Sequence, residues 1–473
     1  MDKHESSEGH VEVIENEIDK VMEQIQELIK KQVIVKDASE LEALERRIVQ
    51  TTDRLASLIV AQKVQDALDS DEVKQEASEL AKAYPKKLKN QGPREVEIST
   101  SRGEPVKIIT SYYSQKEKKN MFRKKKRRGF YPALVLLGIC DHCTPWLGSE
   151  ISTLATALSS FKEAEQILKD RGLNIDAKRI REITWRFAER ARLSFEKQEC
   201  NFVETVAGRR VVVSTDGGRI RIRKDKAGAK TKKGRKRYST DWREPKLLII
   251  YTVNEKGEKD RSFSSFMDGT LKGPNAVFAL MKYYLSKLDI CKAKEILFVA
   301  DGARWIWNRV EELMYELGIA SSQYHELLDF YHAVEHLGKI ASLQKRWSAV
   351  EKKKWIKKHR RLLLKGQVDK VISTIRAICK GRRSKKLIRE RNYFVRNRKR
   401  MSYDRIADMG LPIGSGAMES AIRRVVNLRL KGASIFWHSN AAEAMLLLRC
   451  FFKAGRWEML KNLTFSRCLT NAG

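Results

Sequence analysis

Two well-separated apolar runs of this chain end in the same way: "RRVVVSTDGG" closes on Asp216-Gly217 and "EILFVADG" on Asp301-Gly302. A short apolar run broken by an acid and a glycine reads as a buried strand leaving its sheet. Around these two runs, "RIRIR" alternates as a half-exposed strand does, and "PKLLIIYTVNEKGEKDRSFSSF" reads as strand, turn and strand. Residues 276–288 carry an apolar helix pattern, and "YHELLDF" is a further short strand leading to Asp329 and His332. Strands alternating with helices confine this part of the chain to an α/β domain. Ligands of open α/β sheets gather beyond the carboxyl ends of the strands, which makes Asp216 and Asp301 the first candidates for chemistry. Either aspartate alone also reads as a simple turn former.

Charge narrows the partners. Against 60 acids stand 95 Lys and Arg, a formal charge of +35. Such an excess repels itself unless a polyanion covers part of the surface. Basic clusters recur in strand-like and loop-like segments, a pattern that suits tracking of nucleic-acid phosphates better than an interfacial membrane helix. The first residues, "MDKHESSEGHVEVIENE", are polar and acidic, unlike a signal peptide. The apolar stretch "YPALVLLGIC" is too short to span a bilayer. A soluble cytoplasmic protein is therefore expected, with no membrane partner. Seven cysteines without framework spacing fit a reducing compartment. Cys140 and Cys143 form one CxxC, which is either a weak metal site or a pair of buried thiols.

The N-terminal part reads as helical. Ile14, Ile18, Val21, Ile25 and Leu28 recur in steps of four and three, and Leu41, Leu44, Ile48, Leu55 and Leu58 continue the spacing behind an apparent Ser39/Glu42 capping box. Two helices of this kind either pack on each other or form a dimerisation arm. The run "KEKKNMFRKKKRR", with Lys124, Lys125, Lys126, Arg127 and Arg128, is suited to phosphate contact. It precedes "FKEAEQILKDRGLNIDAKRIREITWRFAERA", two helical patterns joined through Gly172, with a cap at Asp176. That arrangement predicts a helix-turn-helix offering Lys178, Arg179, Arg181 and Arg186 to DNA. The segment "KDKAGAKTKKGRKRYST", with Lys232, Lys233 and Arg235, predicts a basic hairpin tip that grips DNA.

Two carboxylates in one pocket repel each other and favour a hard divalent cation such as Mg²⁺. A third acid from a helix would complete a site for two ions, spaced ~3.5–4 Å apart, that clamp the attacking and leaving oxygens of a phosphoryl transfer. Glu419 in "GSGAMESAIRRVVNLRLKG" is the candidate, followed on its helix by Arg423 and Arg424. The same glutamate would also suit the positive end of the helix dipole.

In this order, "STDGGRIRIR", "FVADGARWIW", "LDFYHAVEHL" and "LPIGSGAMESAIRRVVNLRLKGASIFW" resemble the DDE transposases of bacterial insertion sequences, specifically the ISKra and ISLre groups, themselves similar to mutator-type transposases. The resemblance covers roughly residues 130–455. It implies an α/β RNase H-like catalytic core whose acids, and ligands for two Mg²⁺ ions with Mn²⁺ as a substitute, are Asp216, Asp301 and Glu419. It also implies that the first and fourth strands lie side by side, and that an all-helical insertion separates the last strand from the glutamate helix. Residues 334–400, without proline or strand-like alternation, read as helical on their own terms. Asp329 and His332 match a supporting Asp-x-x-His element, and Trp437 lies where such families carry a tryptophan that stacks on a base or packs in the core. The expected partners are transposon terminal inverted repeats and target DNA, in a homodimer or higher oligomer.

The expected organisation is a helical and coiled-coil region over 1–110, a basic linker with the helix-turn-helix-like region over 111–204, the first part of the core over 205–333, the basic helical insertion over 334–404, and the second part of the core over 405–473. The activity implied is cleavage and transfer of DNA strands. A catalytically silent DNA-binding protein derived from a transposase and a structure-specific RNase H-like nuclease are the alternatives.

Overall fold

The structure, a computed structural model, describes residues 5–85, 87–115, 129–196, 204–232, 234–381 and 383–466. Lys124, Lys125, Lys126, Arg127, Arg128 and Lys233 lie outside them. The chain divides into two compact units, one formed by residues 1–200 with 458–473 and the other by 201–457.

The first unit begins as a helical hairpin, Glu5–Lys30 against Ala38–Asp69. Its second helix is capped by Asp37, which accepts from the Glu40 N–H at 2.9 Å, while Glu40 reaches back to the Lys36 N–H. The Ser39/Glu42 capping box expected from the sequence is thus displaced by two residues. Ile14 and Val21 meet Leu58, Ala61 and Leu68 in one core. The other half of the second helix is not covered: Leu41 is 54% and Ile48 43% exposed.

Ser70 ends the second helix and caps Asp71–Lys82. The chain then forms a long antiparallel hairpin, β1 (Leu88–Ile98) and β2 (Val106–Gln115), joined by the short β3 (Gly129–Phe130). These strands correct the expectation that 1–110 is helical throughout. Val96, Ile98, Val106 and Ile108 belong to the same core as the helical hairpin. The buried Gln65 amide serves the backbone of Ile109 as a neighbouring strand would, donating to its carbonyl and accepting from its N–H.

A second core of this unit packs helices Pro145–Ala157, Phe161–Asp170 and Ala177–Glu196 through Leu147, Ile151, Leu168, Ile180 and Ile183. The last two are the predicted helix pair: Gly172 adopts φ +80° at the end of the first, and Asp176 accepts from the Arg179 N–H at the start of the second. Residues 458–473 belong with this unit, which corrects the assignment of all of 405–473 to the core.

In the second unit the strands are β4 (Arg210–Gly217), β5 (Ile220–Asp225), β6 (Tyr238–Arg243), β7 (Lys246–Val253), β8 (Phe266–Thr270), β9 (Glu295–Ala300) and β10 (Tyr324–Leu328). Five of them form a mixed sheet in the order β10-β9-β4-β7-β8. β4, β7 and β8 pair antiparallel in sequence order, whereas β9 and β10 add to the other side of β4 in parallel. Every residue of β7 is buried, and β4 is buried up to its last two, as expected of central strands covered on both faces. Helices Pro274–Lys287, Arg304–Glu316, Phe330–Ser342 and Ser439–Ala454 follow the strands. Between β10 and the Glu419 segment run Ala349–Leu364, Val368–Cys379 and Lys385–Asn397 with no strand among the described residues, as the composition of 334–400 predicts. β5 and β6 form a separate two-stranded ribbon.

Candidate functional site

β4 and β9 are neighbours in parallel, with Val213 level with Phe298. Asp216 and Asp301 each stand three residues beyond that pair, at the same height on strands whose spacing is ~4.8 Å. Acids far apart in the chain are thereby brought to one end of the sheet. Glycine permits the approach of other elements: a side chain on Gly218 would meet Val426 at 3.1 Å, and one on Gly302 would collide with the ring of Tyr393.

Each aspartate is tied to its own turn. Asp216 accepts from the Gly217 N–H at 2.6 Å, and Asp301 from the Ala303 N–H at 2.9 Å. Burial, and after it the charge of Asp301, push the Asp216 carboxyl up to about 6. Glu244 adds to this push, and the Gly217 N–H and His332 oppose it. Glu244, which no sequence motif pointed to, is itself paired with Lys246 at 2.7 Å.

The helical insertion contributes a wall. Tyr393, on Lys385–Asn397, is buried with its hydroxyl unpartnered and stacks on His336 at 3.6 Å between ring centroids. Burial and the charges of Asp301 and Asp329 push its phenol well above the ordinary range. Arg396, one turn on, donates to the Gly302 carbonyl at 3.1 Å. Neither residue carries a recognisable sequence signal, because nothing local tells that this helix folds over the Asp301 turn.

Asp329 is fully buried, and its partners are backbone and hydroxyl groups of the protein itself. One oxygen accepts from the N–H groups of Tyr331 and His332, capping Phe330–Ser342. The other accepts from the Ser415 N–H at 2.6 Å and from the Ser415 hydroxyl. Asp329 therefore fastens the start of the glutamate helix to the end of β10, a positioning task. Ser415, whose hydroxyl is engaged in this way, does not cap its own helix. His332 acts through its charge on Asp216 and lies 3.6 Å from Glu335.

The helix bearing Glu419, Gly416–Ile422, packs against β4 and β7 and passes into a π-helical turn, Arg423–Asn427. Met418 and Ala421 face inward, whereas Glu419 is exposed. Among the described residues no three His, Cys, Asp or Glu side chains are gathered closely enough to hold a metal ion. The fold thus brings Asp216 and Asp301 to the same end of the sheet, with Glu419 exposed on a helix that packs against β4. The carboxylate pair fits a hard dication, since an oxygen from each would relieve their mutual repulsion.

Other expected contacts are redistributed. Trp437 is buried and donates its indole N–H to the Leu430 carbonyl, so it packs in the core and is not free to stack on a base. Arg179 donates to the Asp141 carbonyl, and Arg186 and Arg190 pair with the Asp141 carboxylate. These arginines hold the CxxC turn; Lys178 and Arg186 are exposed, and Arg181 lies over the Trp185 ring. Arg424 is half-buried with its Nε unpartnered, while Arg423, Lys232 and Arg235 are exposed. In the CxxC turn Asp141 and His142 both take positive φ, and burial pushes Cys143 up to about 12.

No helix among the described residues is long and apolar enough to cross a membrane. Comparison with family models, curated proteins and solved structures finds no match for this chain.

Proposed function

We propose that this chain is a DNA transposase, in which Asp216 and Asp301 stand at the centre where DNA strands are cleaved and transferred. The observation that carries the proposal is their placement at one height on adjacent parallel strands of a five-stranded mixed sheet. Three strands antiparallel in sequence order, then two parallel ones beyond the first, support the RNase H-like reading, and so does the side-by-side position of β4 and β9. The charge of +35 favours a polyanionic substrate.

Mg²⁺, or Mn²⁺ in its place, would supply Lewis-acid stabilisation of charge on the reacting phosphate oxygens. Asp216 and Asp301 would hold it, with Glu419 as the third carboxylate. In the first step water adds to phosphorus at the element's end and the bond to the 3′ oxygen breaks, that oxygen taking up a proton. The freed 3′-hydroxyl then adds to a target phosphorus, loses its proton, and displaces a target 3′ oxygen. Neither step needs a covalent bond to the protein. Tyr393 and Arg396 wall the Asp301 turn, while exposed Lys178, Lys232, Arg235 and Arg423 offer phosphate contacts. The open stripe at Leu41 and Ile48 suits the expected oligomer.

A strand-transfer assay with a pre-cut element end, Mg²⁺ and plasmid target tests this. Joining is expected, with Asp216→Asn, Asp301→Asn and Glu419→Gln each abolishing it while retaining end binding. Cutting without joining would identify a nuclease, and binding alone a silent DNA-binding protein; either overturns the proposal.

A further inference from the structure

Past Asp216 the chain enters the β5–β6 ribbon, whose two faces differ in kind. Its register sets Arg221 opposite Trp242, Arg223 opposite Thr240 and Asp225 opposite Tyr238. Opposed residues share a face, so Arg221, Arg223, Trp242 and Tyr238 stand together on one side. Ile220 and Ile222 turn to the other side and are buried. The segment after the glutamate helix joins this ribbon: the Trp437 N–H donates to Arg221, and its carbonyl accepts from the Arg223 N–H. Trp437 is paired with Ile222 and is buried with it, which leaves the preceding Phe436 on the face of the arginines.

The result is an interleaved row of cations and rings. Arg219 and Arg221 lie over Trp242, Arg221 also lies 4.6 Å from the Phe436 ring, and Arg223 lies 4.4 Å from the Tyr238 ring. Tyr238 and Phe436 are 5.8 Å apart. Burial does not explain these aromatics, since Tyr238 is 43% and Trp242 48% exposed. Between 219 and 243 the sequence has twelve Lys or Arg and two Asp, both aspartates already engaged by basic neighbours.

We propose that this face of the ribbon binds unpaired bases of a nucleic-acid strand, with Trp242, Tyr238 and Phe436 as stacking surfaces and the arginines neutralising the phosphates between them. Ring faces accept any base, and guanidinium groups spaced among them match the charge of the backbone. β5 begins four residues after Asp216, so the platform sits where a strand separated near the reacting phosphate would emerge. The inference rests on the proposed function for the identity of that strand, but it makes a separate claim about single-strand binding.

The test measures the affinity of the full-length protein for a labelled single-stranded oligothymidine and for a blunt duplex of equal length. Combined Tyr238→Ala and Trp242→Ala substitution is expected to weaken single-strand binding about tenfold or more, with duplex affinity changed less than about twofold. Trp242→Phe with Tyr238→Phe, which keeps the rings, is expected to restore binding and controls for any loss of folding. Unchanged single-strand affinity in the alanine variant overturns the platform, as does an equal loss on duplex, which would mark the ribbon as a general charge contact. Loss of single-strand binding in a protein that neither cuts nor joins DNA would uphold the platform and overturn the transposase proposal. Joining with unaltered single-strand affinity would do the reverse.

Discussion

Asp329 places two helix starts under the control of one carboxylate, and this can be measured. One of its oxygens receives the N–H groups of Tyr331 and His332, at 2.6 and 3.0 Å, and the other receives both the N–H and the hydroxyl of Ser415. In Asp329→Asn the amide oxygen can keep the first pair, but its NH₂ then faces two donors. Two hydrogen bonds to a charged acceptor are lost, each worth about 1.5–3 kcal/mol, so the cost is about 3–6 kcal/mol. Ser415→Ala removes only the hydroxyl bond to that charged acceptor and should cost about 1.5–3 kcal/mol. Because the two residues touch, the double variant should be less destabilised than the sum, with a coupling of about 1.5–3 kcal/mol. Urea denaturation of the four proteins, followed by tryptophan fluorescence, gives all three quantities. If Asp329→Asn costs under about 1 kcal/mol, or the coupling is near zero, Asp329 does not fasten the glutamate helix and the positioning argument fails.

The raised Asp216 carboxyl carries a sign that can be checked. A folded-state value of about 6 above the ordinary 3.8 means that ionised Asp216 opposes folding. The penalty is absent below about pH 4, develops between about 4 and 6, and is constant above, at up to about 3 kcal/mol. Asp216→Asn should therefore raise the calorimetric unfolding temperature at pH 8 without metal and leave it unaltered at pH 3.5; no gain at pH 8 would refute the burial and charge assigned to this site. Tyr393→Phe removes a buried hydroxyl without a partner and should leave stability unchanged or raise it by about 1 kcal/mol, so a loss of DNA cleavage in that variant would show that the hydroxyl meets substrate. Leu41→Glu with Ile48→Glu should lower the oligomeric state measured by sedimentation without unfolding the hairpin, and an unaltered state would remove the arm from the interface.

Several elements are legible from local pattern alone. The valines of β4 and the "EILFVADG" run alternate or cluster over a few residues, and the helical character of 334–400 rests on local composition, so neither depends on distant partners. The long hairpin at 88–115 lacks a clear strand pattern because six of the eleven residues of β1, "LKNQGPREVEI", are polar and Gly92-Pro93 stands where its register shifts. Its buried Val96 and Ile98, with Val106 and Ile108 on β2, were the signal available.

The sequence by itself determined the strands that end in Asp216 and Asp301, the helices between them and the excess of positive charge, because periodicity and composition act over a turn or a strand. Only the tertiary structure decided which groups those elements bring together. The pairing of β4 with β9 sets two aspartates level, the fold of Lys385–Asn397 over Gly302 lays Tyr393 against them, and Asp141 takes up arginines that were expected to face DNA. Of the adjacent Phe436 and Trp437, strand alternation buries one and leaves the other beside the arginines. Each of these outcomes depends on a partner distant in the chain, and no local pattern encodes the choice of that partner.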